Sequence, residues 1–91
     1  MVRWFGQNIE TTKREFAMIY HLGRRPRVVF SRDQLLDICY GEDIVLVDRN
    51  IDSHIKRLRK KFRKANPKIK FDRIKTYYGT GYAWMPRSVA V

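Results

Sequence analysis

The segment from Asp48 to Ala65 constrains the fold most, because it has the pattern of an amphipathic helix with a strongly basic face. On a helix with about 100° per residue, four apolar side chains fall on one stripe. They are Ile51, Ile55, Leu58 and Phe62. Positions 54–64 contain seven Lys or Arg residues and no acidic residue. The pattern predicts a helix that packs through one side and presents positive charge on the other.

The positive charge of the chain is concentrated in its second half. The 91 residues carry a formal net charge of +11. Residues 1–47 contain seven basic and six acidic side chains, whereas residues 48–75 contain twelve basic and three acidic ones. A localised positive field indicates a polyanionic partner, either nucleic acid or an anionic membrane surface. We favour nucleic acid and expect no membrane binding, because the core needs the apolar stripe of the basic helix.

Length and composition predict one domain that spans residues 1–91. Hydrophobic residues make up 44% of the chain, which suffices for a packed core. The sequence has one cysteine, Cys39, and therefore neither an internal disulfide nor a cysteine zinc site. A single thiol, and no apolar run near about 18 residues, agree with a soluble protein in a reducing cytosol.

Residues 1–11 predict a short β-hairpin that turns at Gly6, Gln7 and Asn8. An isolated two-stranded hairpin is marginally stable in water. We therefore expect these residues to be the remnant of a larger N-terminal sheet, and the chain to be a fragment of a longer protein.

Residues 12–65 predict a core of three helices. The spacings Thr12 to Glu15 and Ser31 to Gln34 are those of capping boxes, which mark helix starts. On the first helix we expect the inner side and the end at Phe16, Ile19, Tyr20 and Gly23. On the second helix we expect apolar surface from Leu35, Leu36, Ile38 and Cys39, and an end at Gly41. A very short β-segment, Val28 to Phe30, lies between these helices.

The C-terminal part predicts a β-hairpin over residues 69–86 with a glycine-flexible tip, followed by a frayed tail over residues 87–91. A short helix joined to a longer basic helix is typical of a helix-turn-helix, whose second helix enters the DNA major groove. The basic hairpin is then a candidate wing. Residues 41–47, which precede the basic helix, are either a connector, which the sequence favours, or a contact surface for a second protein.

Three motifs resemble the C-terminal effector domain of OmpR/PhoB-type response regulators. They are T-x-x-E-F at residues 12–16, R-x-x-D-x-H-I-x-R-L-R-K-K at residues 49–61 and I-x-T-x-x-G-x-G-Y at residues 74–82. The resemblance implies an α+β winged helix-turn-helix transcription regulator that binds double-stranded promoter DNA through a recognition helix at about residues 50–65. It also implies a four-stranded N-terminal sheet, of which this chain keeps two strands.

The same resemblance implies partners. A sensor kinase acts on a receiver domain outside this chain, and the full-length protein of the bacterial cytoplasm pairs head-to-tail as a homodimer on direct repeats. The loop between the second and third helices is an RNA polymerase surface in that family, which raises the protein-contact interpretation of Glu42, Asp43, Ile44 and Val45. Two positions depart from the family pattern: Tyr78 stands where arginine often precedes the first wing glycine, and Tyr40 where tryptophan commonly closes the second helix.

The expected DNA contacts lie on the basic helix and the hairpin tip. They are Arg49, Ser53, His54, Lys56, Arg57, Lys60, Lys61, Tyr78 and Thr80. Arg57 points away from the apolar stripe, with small Ser53 one turn earlier, and we expect it to read the O6 and N7 atoms of guanine. His54 and the other basic residues suit phosphates, and the two wing residues suit phosphate or sugar. The alternative for each residue is a solvated position on an exposed face.

Two residues of the basic segment are left out of this site. Arg59 lies about 40° from Ile55 on the helical projection, so we expect a structural role, with Glu15 as one possible ion-pair partner. Asn50 either caps the helix, with Asp48 as the competing cap, or faces DNA, and a side chain engaged in capping is not available to a base.

Two other functional classes compete with a DNA-binding regulator. A small basic RNA-binding protein of ribosomal type has similar charge and size, but the ordered capping boxes, helix pair and wing argue against it. An enzyme is not indicated, because the sequence lacks paired carboxylates at one site, a supported nucleophile and base, a phosphate loop and metal-ligand spacing. We therefore expect no catalytic residue, cofactor or metal.

Overall fold

The computed structural model describes residues 2–41 and 50–86, which form a winged helix. The elements follow the order β1 (Val2–Trp4), β2 (Gln7–Ile9), α1 (Lys13–Arg24), α2 (Arg32–Tyr40), α3 (Ile51–Ala65), β3 (Ile74–Tyr77) and β4 (Gly81–Trp84). Strands β1 and β2 pair antiparallel, and so do β3 and β4. The expected α+β winged helix-turn-helix fold is confirmed. The expectations for the tail and for Glu42, Asp43, Ile44, Val45, Asp48 and Arg49 lie outside the described residues.

Local hydrogen bonds explain where the helices begin. Thr12 Oγ1 accepts from the Glu15 amide at 3.1 Å, and Glu15 Oε1 accepts from the Thr12 amide at 2.8 Å. Ser31 and Gln34 make the same reciprocal pair at 3.1 and 2.8 Å, so both predicted capping boxes are confirmed. Asn50 caps α3 by accepting from the Ser53 amide at 3.2 Å. Its side-chain oxygen Oδ1 is thereby used in the cap, which is one of the two roles that the sequence left open for Asn50.

The expected inner face of α1 is wrong in part. Phe16 is 41% exposed and Tyr20 48% exposed, whereas Glu15, Met18 and Leu22 are buried. The buried side of α1 therefore includes a glutamate and lies to one side of the face that we expected. A sequence pattern places glutamate on the solvent side, because a charge is seldom buried without a partner. The expected end of α1 is also wrong, since the helix continues through residue 23 to Arg24.

The apolar stripe of α3 lies in the core, as predicted. Its four residues, Ile51, Ile55, Leu58 and Phe62, are each at most 3% exposed. Phe62 stacks on Phe71 with ring centroids 4.2 Å apart, and Trp4 meets Phe71 edge-on at 5.1 Å. This aromatic cluster joins the first hairpin, α3 and the segment that leads into β3.

The C-terminal hairpin is fixed to the helical core at Phe30. The amide and carbonyl of Phe30 bond the carbonyl and amide of Tyr82 at 2.7 and 2.9 Å, so the β-segment expected at Val28 to Phe30 is reduced to one bridge. Gly81 has φ +157°, and a Cβ there would lie 1.9 Å from the Phe30 carbonyl oxygen. A glycine is therefore required for this close approach.

Candidate nucleic-acid interface

Helix α3 presents a basic face opposite its buried stripe. Lys56, Arg57 and Lys60 are exposed, and Ser53 is partly exposed one turn before Arg57. The apolar stripe on the other side of α3 packs in the hydrophobic core, so these cations point outward. This is the arrangement that the sequence predicts for these four residues, and DNA contact by them stays a prediction.

Arg57 is joined to the second helix through His54. The Arg57 Nη2 atom lies 2.8 Å from His54 Nδ1, and His54 Nε2 lies 2.7 Å from the Tyr40 hydroxyl oxygen. His54 is half-buried, and Tyr40 is only 3% exposed. The sequence placed His54 among the phosphate contacts, whereas the structure occupies both ring nitrogens with protein side chains.

Lys61, which the sequence placed among the phosphate contacts, is paired with Glu15 of α1 in the structure. Its Nζ donates to Glu15 Oε1 at 2.6 Å, and the Glu15 side chain is 3% exposed. Lys61 lies about 60° from Leu58 on the helical projection, at the border of the buried stripe, and therefore reaches α1. Burial alone would raise the pKa of Glu15, but the bonds from Lys61 and Thr12 and the Lys61 charge outweigh it and lower that pKa.

Arg59 is structural, as expected, but its suggested partner is wrong. One of its terminal nitrogens, Nη2, donates to the Ile74 carbonyl at 2.7 Å and to Thr76 Oγ1 at 2.8 Å. Both acceptors belong to β3, whereas Glu15 is bonded to Lys61. Arg59 therefore ties the middle of the basic helix to the hairpin.

A second tie joins the first turn of α3 to β4. Asp52 Oδ1 accepts from the Tyr82 hydroxyl and, at 2.9 Å, from Arg32 Nε. The Tyr82 bond is the main cause that lowers the pKa of Asp52, and burial followed by the Asp52 interaction raises the pKa of Tyr82. Sequence reasoning missed this triad. The available signal was an acidic residue at the start of a basic helix, but its partners lie 20 and 30 residues away.

The tip of the C-terminal hairpin projects into solvent. Tyr78 is 91% exposed, and Thr80 is also exposed. The Lys75 ammonium lies 5.0 Å from the centre of the half-buried Tyr77 ring. Both predicted wing residues are therefore accessible on a basic hairpin, and their contact with phosphate or sugar stays a prediction.

Other chemistry is not indicated within residues 2–41 and 50–86. Among them, no group of three or more His, Cys, Asp or Glu residues is placed to hold a metal ion. No helix in those two ranges is long and apolar enough to cross a membrane. Burial raises the pKa of Cys39 to about 11, and its thiol lies 3.7 Å from the Arg14 carbonyl oxygen. A thiol with so high a pKa is a poor nucleophile at neutral pH.

Sequence comparison relates the chain to transcription regulators. A family model described as "Transcriptional regulatory protein, C terminal" matches residues 6–84. BaeR of Escherichia coli strain CFT073 is 42% identical over 81 residues, which cover 89% of this chain and 33% of BaeR. CreB of E. coli K12 is 37% identical over 82 residues, which cover 90% of this chain and 35% of CreB. The chain thus spans about a third of the length of these two relatives.

Solved structures agree with the sequence comparison. The DNA-binding domain of Klebsiella pneumoniae RstA, in complex with the RstA box, superposes with a TM-score of 0.69 at 33% identity and covers 90% of this chain and 79% of that one. The DNA-binding domain of E. coli CpxR superposes with a TM-score of 0.70 at 31% identity, and the match covers 91% of this chain and 79% of the CpxR domain.

Proposed function

The chain belongs to the family of C-terminal domains of transcriptional regulatory proteins, and we propose on that basis that it binds double-stranded DNA sequence-specifically. Helix α3 would lie in the major groove, with the wing on the flanking backbone. One observation carries this proposal: α3 is buried along one side while Lys56, Arg57 and Lys60 remain exposed on the other.

Each exposed residue has a proposed role that follows from its chemistry. Arg57 reads the O6 and N7 atoms of a guanine, and small Ser53 permits close approach. Lys56 and Lys60 bind phosphates, as does Arg49 by the sequence argument. Tyr78 and Thr80 of the wing contact phosphate or sugar. Lys61 is no longer part of the proposed set, because it is bonded to Glu15.

The partners of the longer protein form the second part of the proposal. We expect promoter DNA with direct repeats, a head-to-tail homodimer on it, and a receiver domain controlled by a sensor kinase in the bacterial cytoplasm. Residues 42–45 are proposed to contact RNA polymerase. The RstA domain bound to the RstA box supports the DNA component.

A competitive selection tests the proposed function. A pool of random duplex DNA and a pool of structured RNA compete for the domain at near-physiological salt, and Arg57→Ala is run in parallel. We expect a duplex motif that Arg57→Ala blurs at defined positions, with about a 5- to 150-fold loss of base discrimination there. The control is Arg63→Ala, which removes an exposed arginine from the last turn of the same helix.

Two outcomes would contradict the proposal. Preferential enrichment of RNA would indicate the RNA-binding alternative. Duplex binding without any motif, weakened equally by Arg57→Ala and Arg63→Ala, would mean that the basic face attracts nucleic acid only through its charge.

A further inference from the structure

The contact between Arg57 and His54 suggests a role for the histidine that differs from phosphate binding. Resting on the proposed function, we propose that His54 is a positioning residue that orients the Arg57 guanidinium for base recognition, and that Tyr40 fixes His54 in turn. The geometry consists of the 2.8 Å contact between Arg57 Nη2 and His54 Nδ1 and the 2.7 Å contact between His54 Nε2 and Tyr40 Oη.

The chemistry of the three groups fixes the direction of these hydrogen bonds. A guanidinium has only donors, so His54 Nδ1 must accept from Arg57. The imidazole is then neutral and carries its proton on Nε2, which donates to the Tyr40 oxygen. Neither ring nitrogen has an N–H left for a DNA phosphate. The same bonds that orient Arg57 therefore argue against a phosphate role for His54.

Tyr40 is held in place by its burial and by a contact with α1. It is 3% exposed at the end of α2, and the Arg14 guanidinium of α1 lies 4.6 Å from the centre of its ring. The hydroxyl that accepts the hydrogen bond from His54 thus belongs to a buried side chain of α2 that contacts α1. Through Tyr40 and His54, the packing of α1 and α2 therefore restricts the orientation of the Arg57 guanidinium on α3.

The arrangement suits recognition of a flat base edge. A free arginine samples many rotamers and must lose that freedom when it binds, whereas a held guanidinium has already lost part of it. The bond to His54 uses one of five N–H donors, and the others remain for a guanine. A single well-placed fork should favour one base at its position over the other three, so His54 acts on specificity more than on general affinity.

Two substitutions at position 54 separate the two bonds. In His54→Asn the amide oxygen replaces Nδ1 and can still accept from Arg57, whereas the Nε2 donor is lost. In His54→Gln the longer amide places a donor near Nε2 and loses the acceptor for Arg57. Tyr40→Phe removes the hydroxyl alone. Lys60→Ala is the control for a phosphate contact, which should weaken all sequences alike.

The measurement is binding of each variant to the selected duplex and to its single-base substitutions, with thermal unfolding to confirm folding. We expect His54→Gln to reduce discrimination about 3- to 10-fold at the positions that Arg57→Ala identifies, and little elsewhere. We expect His54→Asn and Tyr40→Phe to cause a smaller loss at the same positions, because each keeps an acceptor for Arg57 but breaks the bond between position 54 and Tyr40. His54→Gln should add no further loss in the Arg57→Ala background.

The outcomes distinguish this inference from the proposed function. If the wild-type domain selects no duplex motif, the proposed function fails and the inference fails with it. If a motif depends on Arg57 but His54→Gln leaves discrimination intact, the proposed function stands and His54 does not position Arg57. Equal weakening of all sequences by both His54 variants would return His54 to the phosphate contacts. Should Tyr40→Phe unfold, the pair of His54 variants still decides.

Discussion

The ion pair between Glu15 and Lys61 makes a sharp test of how α1 holds the basic helix. The Glu15 carboxylate is almost fully buried and accepts from Lys61 Nζ at 2.6 Å and from the Thr12 amide at 2.8 Å. Lys61→Ala would take the ammonium away from a buried carboxylate and leave the Thr12 amide donating to it. The expected result is a large loss of stability, although lysine is a surface residue in most helices.

The magnitude follows from the burial of the two partners. Breaking a fully buried pair by removing one partner costs about 3–5 kcal/mol. The Lys61 side chain is 38% exposed, so water can solvate the carboxylate once the lysine is gone, and we reduce the cost to about 2 kcal/mol. For a domain of this size, about 2 kcal/mol corresponds to a fall in Tm of roughly 8–16 °C.

Thermal and urea unfolding of Lys61→Ala, Glu15→Gln and the double variant measure this effect. The matched control is Lys64→Ala, which removes an exposed lysine from the same helix and should change stability by less than about 0.5 kcal/mol. The double variant should be less destabilised than the sum of the singles, because the two residues share one interaction. Equal small effects for Lys61→Ala and Lys64→Ala would refute the reasoning.

Three further predictions concern the titration of Glu15, the glycines of the C-terminal hairpin and the Tyr82 hydroxyl. Because the pKa of Glu15 is lowered on folding, its contribution to stability is present above the ordinary glutamate pKa of about 4.3 and is lost as pH falls through the folded-state pKa, so acid titration should destabilise the wild type more steeply than Glu15→Gln. Gly81→Ala should cost about 3 kcal/mol in urea unfolding through its clash with a backbone oxygen, against about 1 kcal/mol for Gly79→Ala, which meets open space at φ +77°. Tyr82→Phe should cost about 1 kcal/mol and increase amide hydrogen exchange in β4, since it removes a donor to Asp52; unchanged exchange would mean that this bond does not hold the wing.

The features that the sequence predicts correctly depend on residues close together in the chain. The stripe of α3 repeats over one helix, and each capping box places all of its atoms within four residues. The cap by Asn50, one of two candidates in the sequence, is equally local. Periodicity and spacing describe such patterns fully, because helix geometry alone brings the groups together.

The features that the sequence misses join residues far apart in the chain. Glu15 and Lys61 are 46 residues apart, Tyr40 and His54 are 14 apart, and Asp52 and Tyr82 are 30 apart. No spacing rule relates such pairs, since tertiary packing brings them together. The error on α1 has the same origin: the buried position of Glu15 makes sense only once Lys61 is known to lie beside it.

The basic residues of α3 fall into two groups in the structure: some bond to neighbouring elements, and others are exposed. A count of charged residues cannot separate these groups. Seven Lys or Arg residues lie in positions 54–64. Arg59 donates to β3 and Lys61 to Glu15 of α1, so these two cations hold α3 against its neighbours. Because both cations are bonded to acceptors of the protein, we expect this helix to neutralise fewer phosphates than its charge suggests. The salt dependence of DNA binding should therefore follow the exposed cations, and its slope should change with Lys60→Ala but not with removal of Arg59 or Lys61 in a variant that remains folded.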